Sequence, residues 1–213
     1  MRMLAALLVG LPLFAAAQDK PGEFQPLFDG KTLDGWVVKG EPGKEGPQDE
    51  WLVKDGLLTV NPGHSWLSTK EMYGDFVLRL AWRVPVNGNS GVFLRVPDLK
   101  PGEQPYVQGI EIQVLDDQGP EYTGKLKPWQ YAGSIYGVVP AENTGYKGPG
   151  QWNTLEITCR GETIEVVMNG NKAAAADVTK LAELKDRPRR GYIGLQNHGT
   201  GVEYRGIEIK VLK

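Results

Sequence analysis

A single cysteine, Cys159, stands in 213 residues, so no internal disulfide can form. It follows Leu155 and Ile157 at period two, which makes it a small core residue rather than a nucleophile. Histidine is almost as scarce, with His64 and His198 alone. That excludes a zinc site built on His and Cys, although carboxylate and carbonyl oxygens could still hold a divalent ion such as calcium. No cofactor is implied. An excess of positive charge is missing too: 24 Lys and Arg face 26 Asp and Glu for a net charge of −2. Without a basic stripe, no nucleic-acid partner is expected. Neither a Gly-rich phosphate loop nor a nucleophile elbow occurs.

The apolar run at the N-terminus is of a particular kind. Arg2 precedes Leu4 to Phe14, then come Ala15-Ala16-Ala17 and the polar Gln18-Asp19-Lys20. A basic start, a short apolar middle and a small-residue cleavage site read as a secretory signal peptide over residues 1–17. Gly10 and Pro12 interrupt the run, which is too short to span a bilayer. The expected mature chain is one domain over 18–213, periplasmic or secreted, with no membrane span left.

What the chain does have is turn formers, with 28 Gly and 15 Pro, spaced between short stretches of period-two alternation. Asp29-Gly30 and Asp34-Gly35 punctuate an N-terminal segment expected to cover a sheet edge. Trp51 to Val60 reads as a hairpin around Asp55-Gly56, a pair suited to a type I′ turn. Trp66–Thr69, Asp75–Val84, Gly133–Val139, Gln151–Arg160, Thr163–Asn169 and Gly191–His198 read as further strands. In the last strand, Val202 and Tyr204 have the opposite parity to Ile207, Ile209 and Val211, which predicts a bulge near Gly206. Helical character is confined to Val178–Lys185, stopped by Pro188. About a dozen short strands without a linker or repeat predict an all-β, two-sheet antiparallel sandwich.

The stretch Asn89 to Asp116 carries the densest chemistry. In Gly-Ile-Glu-Ile-Gln-Val-Leu-Asp, alternation puts Ile110, Ile112 and Val114 on one face and Glu111 and Gln113 on the other. In Asn-Ser-Gly-Val-Phe-Leu-Arg-Val, Val92, Leu94 and Val96 form the apolar row. Phe93 and Arg95 share the opposite face with Gly91. If these strands pair, Arg95, Glu111 and Gln113 lie together on a polar face beside an aromatic ring, a surface suited to a carbohydrate. Alternatively, Glu111 and Arg95 form a cross-strand ion pair with no further role. Exposed aromatics such as Tyr122 and Trp129, on the loop to Tyr131, either stack on sugar rings or plug the sandwich rim. His198 ends a strand beside Gln196, at the mouth of the same face.

Glu111-x-Gln113-x-x-Asp116 is similar to the Glu-x-Asp-x-x-Glu strand of laminarinase-type glycosidases, with an amide in place of the middle acid. A retaining glycosidase needs two carboxyl groups about 5–5.5 Å apart, and Asp116 is the nearest second candidate in sequence. A wider set of blocks carries a closer resemblance. Leu27-Phe-Asp-Gly-Lys-Thr-Leu-Asp-Gly-Trp36, Asn89-Ser-Gly91 with Arg95, and Gly109-Ile-Glu-Ile-Gln113 with Asp116 come first. Gly133-Ser-Ile-Tyr136, Trp152-Asn153, Asn169-Gly170 and Gly194-Leu-Gln-Asn-His-Gly199 with Tyr204-Arg205 follow in order. Together they resemble the 3-keto-disaccharide hydrolase domain, also described as a 3-keto-glucoside 1,2-lyase and 3-keto-2-hydroxy-glucal hydratase domain. Departures are Gln-Asn-His where Gln-Asp-His is usual, and Tyr204-Arg-Gly206 where Phe-Arg-Asn is usual.

The resemblance implies a concanavalin/laminarinase-like jelly roll and a carbohydrate substrate, a 3-ketoglycoside. It implies cleavage by C2 deprotonation, elimination of the C1 substituent and hydration. One base then replaces the pair of glycosidase carboxylates. On this basis Glu111 is the base, Arg95 stabilises the enolate and His198 is the acid. Asn89, Ser90, Gln113, Asp116, Tyr136 and Gln196 hold the sugar. A non-catalytic lectin or laminin-G-like module, using the same face only to bind, is the alternative.

Overall fold

A computed structural model describes residues 22–41 and 44–213. The expected leader over residues 1–17 lies outside the described residues. Among them no helix is long and apolar enough to cross a membrane.

Among the described residues, thirteen strands form two antiparallel sheets. They are β1 (Gln25–Pro26), β2 (Trp36–Lys39), β3 (Trp51–Lys54), β4 (Leu57–Val60), β5 (Trp66–Tyr73), β6 (Phe76–Arg83) and β7 (Asn89–Val96). After a single helical turn, α1 (Pro105–Gln108), come β8 (Ile110–Leu115), β9 (Asn153–Arg160), β10 (Thr163–Met168), β11 (Asn171–Asp177), β12 (Gly191–Gln196) and β13 (Glu203–Val211). The larger sheet runs β11-β10-β9-β6-β13-β4-β3, with β1 pairing β13. The smaller sheet runs β2-β5-β12-β7-β8. The all-β sandwich expected from the alternation is the fold found.

The core lies between the sheets. Phe76, Leu78, Leu80 and Trp82 of β6 face Val92 and Leu94 of β7, Ile110, Ile112 and Val114 of β8, and Ile193 and Leu195 of β12. Each large side chain removed from water contributes about 1.5–3 kcal/mol before conformational entropy is charged against it. Cys159 is buried in this core, and its burial pushes the thiol up to about 12. A thiol so far from ionisation is an inert packing group. The hairpin turn at Asp55-Gly56 uses positive φ at both residues, as the type I′ reading requires. The bulge near Gly206 is present: the pairing of β13 with β6 shifts between Arg205 and Glu208, and Gly206 takes φ +57.

Two expected elements differ. Residues 133–139 are not a strand of either sheet. Their backbone covers the edge strand β8 instead, with Gln113 N donating to Ser134 O, Gly133 N to Gln113 O and Tyr136 N to Glu111 O. Such a cover removes a row of unpaired donors and acceptors from solvent. The stretch expected to be helical over Val178–Lys185 holds one 3-10 turn, Val178–Lys180, with Asp177 Oδ1 accepting from Thr179 N.

A third difference bears on the site. Strand β7 does not keep its alternation to the end. Tyr192 of β12 pairs with Val96 and Gly194 with Phe93, so Leu94 and Arg95 together oppose Ile193 alone. This is a bulge, and Arg95 sits in it at φ +52. The extra residue reverses the parity of the strand beyond it. Val96 therefore leaves the core row and packs with Trp66 and Phe93 on the outer face of the smaller sheet. The Arg95 side chain turns to one end of the sandwich.

Candidate functional site

The outer face of the smaller sheet is where the polar row emerges. In the ladder, Glu111 of β8 lies opposite Phe93 of β7, Phe93 opposite Gly194 of β12, and Gly194 opposite Ser68 of β5. One step along, Gln113 lies opposite Gly91 and Gln196 opposite Trp66. Alternation alone brings Glu111, Gln113, Asn89 and Gln196 to one surface.

The glycines make room for it. A Cβ on Gly91 would lie 2.2 Å from Glu111 Oε1, so the Glu111 carboxyl rests in the space that a side chain would fill. A Cβ on Gly194 would lie 2.5 Å from Trp66 Cε3, so the indole lies across the strand at that point. Gly91→Ala should therefore displace the carboxyl tip while the strand accepts the methyl group. A misplacement of about 1 Å can cost about 10²-fold. Any reaction that uses this carboxyl should slow by about that factor, with circular dichroism and the denaturation midpoint nearly unchanged. A Gly91→Ala variant that reacts at the wild-type rate would show that the present position of Glu111 is immaterial.

Glu111 itself is buried, and no hydrogen bond to its carboxyl group is found among the described residues. Desolvation pushes its pKa from the ordinary 4.5 to about 8. It forms part of a cavity of about 210 Å³ together with Asn89, Gln113, Gln130, Tyr136, Gln196 and His198. Tyr106, Tyr122, Leu115 and Leu126 complete the wall. Gln196 Oε1 is buried without a partner. An unsatisfied buried acceptor costs about 1–3 kcal/mol, and a ligand hydroxyl would relieve it.

Loops supply the far wall. Gln130 is held by its own turn, its Oε1 accepting from Lys127 N. Tyr136 is braced edge-on by Trp129 at 5.3 Å and by Tyr106 at 6.3 Å between ring centroids. Trp129 thus buttresses the rim, whereas Tyr122 reaches the cavity. His198 protrudes from a pinned turn. Asn197 N donates to Ser65 O, and Asn197 Nδ2 donates to Glu50 Oε2 and Asn61 O. Gly199 N closes the turn on Asn197 Oδ1.

Of the residues expected at the site, Glu111, His198, Asn89, Gln113, Tyr136 and Gln196 come together. Three do not. Arg95 is fully buried elsewhere, donating through Nε to Gly74 O, through Nη1 to Gly161 O and through Nη2 to Asp75 Oδ1. The β7 bulge is the cause, and it removes both Arg95 from the polar face and the alternative Glu111–Arg95 ion pair. Ser90 faces inward because it is next to Asn89 on a strand. Its Oγ donates to Gln196 O and accepts from the Tyr204 hydroxyl. It supports Gln196 from beneath. Asp116 has the inward parity as well: its Oδ2 accepts from Asn87 N and its Oδ1 from the Tyr146 hydroxyl. Among the described residues Glu111 is thus the one carboxylate lining this cavity. Tyr106, Leu126 and Gln130 were not marked by any periodicity, since they stand on loops.

A second, larger cavity of about 540 Å³ adjoins the first and shares Tyr106, Gln196 and His198 with it. Its other walls include Trp66, Phe93, Leu99 and Pro105, together with Glu50, Glu103 and His64. Trp66 and Phe93 meet edge to face with centroids 5.9 Å apart. Among the described residues, no group of three or more His, Cys, Asp or Glu is placed to hold a metal ion.

Comparison with known proteins extends these observations. A family model described as a 3-keto-alpha-glucoside-1,2-lyase-like domain matches residues 23–210. A 3-keto-disaccharide hydrolase of Bacteroides thetaiotaomicron is 28% identical over 228 residues, covering 87% of this chain and 77% of that protein. A Parabacteroides distasonis protein described as a candidate glycosyl hydrolase superposes with a TM-score of 0.77 at 30% identity, over 89% of this chain and 100% of its own. A Bacillus licheniformis β-glucanase superposes with a TM-score of 0.56 at 12% identity, over 92% of this chain and 100% of its own, a likeness of fold alone.

Proposed function

Because the chain belongs to the 3-keto-alpha-glucoside-1,2-lyase-like domain family, we propose that it cleaves 3-ketoglycosides, with Glu111 removing the C2 proton. The observation that carries this reading is a lone buried carboxyl group, shifted to about 8, in the wall of a sugar-sized polar cavity. A base works best when its pKa lies near the operating pH, and the shift brings Glu111 to that range. A carboxyl kept at its ordinary value would be a far weaker proton acceptor.

The chemistry balances with one base. The C3 carbonyl acidifies the C2 proton, which passes to Glu111 while the electron pair delocalises onto the C3 oxygen. The enolate then re-forms the carbonyl, a C1–C2 double bond appears and the C1–oxygen bond breaks. His198, when protonated, donates to the departing oxygen. Water adds at C1 and gives up a proton to His198, while Glu111 returns its proton to C2, giving the 3-keto sugar and the free alcohol with both side chains restored. Among the described residues no lysine or arginine lines this cavity, so the amides of Gln113, Gln130 and Asn89 and the tyrosine hydroxyls are the donors available to the enolate oxygen. With Glu111 as the cavity's one carboxylate, the two-carboxylate retaining mechanism has no second member here. We also propose export, on the strength of the leader-like residues 1–17.

Incubation with methyl 3-ketoglucoside, followed by NMR, tests the reading. Release of methanol and 3-ketoglucose is the expected result. Binding without turnover would instead favour the carbohydrate-binding module. The pH profile provides a further check. Glu111 must be ionised to act, and at pH 7 about a tenth of it is. Where C2 proton removal is the first irreversible step, kcat/KM follows Glu111 alone: it should rise about tenfold per pH unit below 8 and level off above it, the His198 proton being drawn on only afterwards. A profile flat from pH 6 to 9 would remove Glu111 from the base role.

A further inference from the structure

We propose that the larger cavity is the leaving-group subsite and selects neutral, planar aromatic aglycones over a second sugar. The inference rests on the proposed function for its orientation: the ring being deprotonated must sit in the small cavity over Glu111. From there the shared wall leads one way. Gln196 and His198 border both cavities, so a C1 substituent that passes His198 enters the larger one.

The two cavities differ in chemistry. The small one presents amides, phenols and a carboxyl group, which match a ring bearing hydroxyls. The large one is walled by Trp66, Phe93, Leu99, Pro105 and Tyr106. Trp66 and Phe93 are locked edge to face, and Gly194 lets the indole lie close to the sheet. Leu99 and Val96 extend the same apolar cluster. Rigid aromatic walls favour flat apolar groups, whose burial is driven by area and ring geometry. Among the described residues no lysine or arginine lines the large cavity, whereas Glu41, Glu50 and Glu103 do. An anionic aglycone would therefore meet like charge without a counter-ion. At about 540 Å³ the cavity lies within the range of drug-sized ligand pockets.

Aryloxide leaving groups would win on acidity alone, so the aromatic probe is a simple primary alcohol matched to methanol, and the more acidic sugar hydroxyl biases the comparison against the proposal. The probes are the 3-ketoglucosides of methanol, 2-(2-naphthyl)ethanol and glucose. Turnover is measured with the wild-type protein, and equilibrium binding is measured with Glu111→Gln. The naphthylethyl compound should show at least tenfold higher kcat/KM than the other two and at least tenfold tighter binding. Leu99→Glu, on a half-buried loop position, should reduce the naphthylethyl-to-methyl ratio at least tenfold. Equal or greater preference for the disaccharide, with turnover intact, would overturn the aglycone assignment and leave the proposed function standing. Absence of turnover with the naphthylethyl preference retained in binding would do the reverse. Absence of that preference in both measurements, or a ratio unmoved by Leu99→Glu, also overturns the assignment.

Discussion

Glu111→Gln should lower turnover of a 3-ketoglucoside by about 10²–10⁴-fold, the usual contribution of a positioned proton transfer. The amide keeps the shape that fits over Gly91 and loses only the proton acceptor, so binding should survive. The same substitution should change stability in a direction that depends on pH. Burial raises the folded-state pKa of Glu111 to about 8, so the folded protein holds this proton more tightly than the unfolded chain does. Its stabilising contribution is complete below about pH 4.5 and is lost as pH rises through about 8. The rise from 4.5 to about 8 corresponds to a cost on the order of 5 kcal/mol once the carboxylate is forced to ionise in place. The variant should therefore gain stability relative to wild type between pH 5 and 9. Denaturant titrations at those two pH values check the sign. A variant that keeps wild-type turnover would move the base elsewhere, with His198 next to be tested.

Arg95→Met should do the opposite. Arg95 is fully buried and joins three separate places: Gly74, Asp75 and the Gly161 turn between β9 and β10. Asp75 Oδ1 also accepts from Gly161 N. Removing the guanidinium strands two carbonyl oxygens and leaves Asp75 without its cation. Breaking a buried pair typically costs about 3–5 kcal/mol, and partial exposure of Asp75 places the expectation near the lower figure. Turnover per folded molecule should remain, because Arg95 is absent from both cavities. Loss of turnover at unchanged stability would restore Arg95 to the chemistry.

The positions of these two residues show what strand parity reaches and what it does not. Glu111 was legible because β8 keeps strict alternation from Ile110 to Leu115, so its face followed from parity. Parity also held the answer for Ser90 and Asp116. Ser90 adjoins Asn89, and Asp116 is an odd number of residues from Glu111, so neither shares the outer face. Treating the motif as a block of nearby polar residues obscured that. Arg95 could not have been placed this way. Its bulge puts a non-glycine residue at positive φ, with no glycine or proline at the position to announce it. The aromatic wall was half visible. Tyr122 stood out as an exposed loop aromatic, but Tyr106 and Gln130 depend on how the loops pack over the β8 edge, which no periodicity encodes. The fold was easier to read, since many short alternating segments over a Gly- and Pro-rich chain admit few architectures.

The central claim is that the C2–H bond breaks during cleavage. The measurement that tests it most directly uses methyl 3-ketoglucoside carrying deuterium at C2, with the enzyme in ordinary water. Products are analysed by mass spectrometry at low conversion against an enzyme-free control. The account predicts slower cleavage than that of the unlabelled compound, whether Glu111 returns the same deuteron to C2 or exchanges it with water first. Cleavage at the unlabelled rate with the deuterium fully in place, or equal cleavage of the unoxidised methyl glucoside, would contradict it.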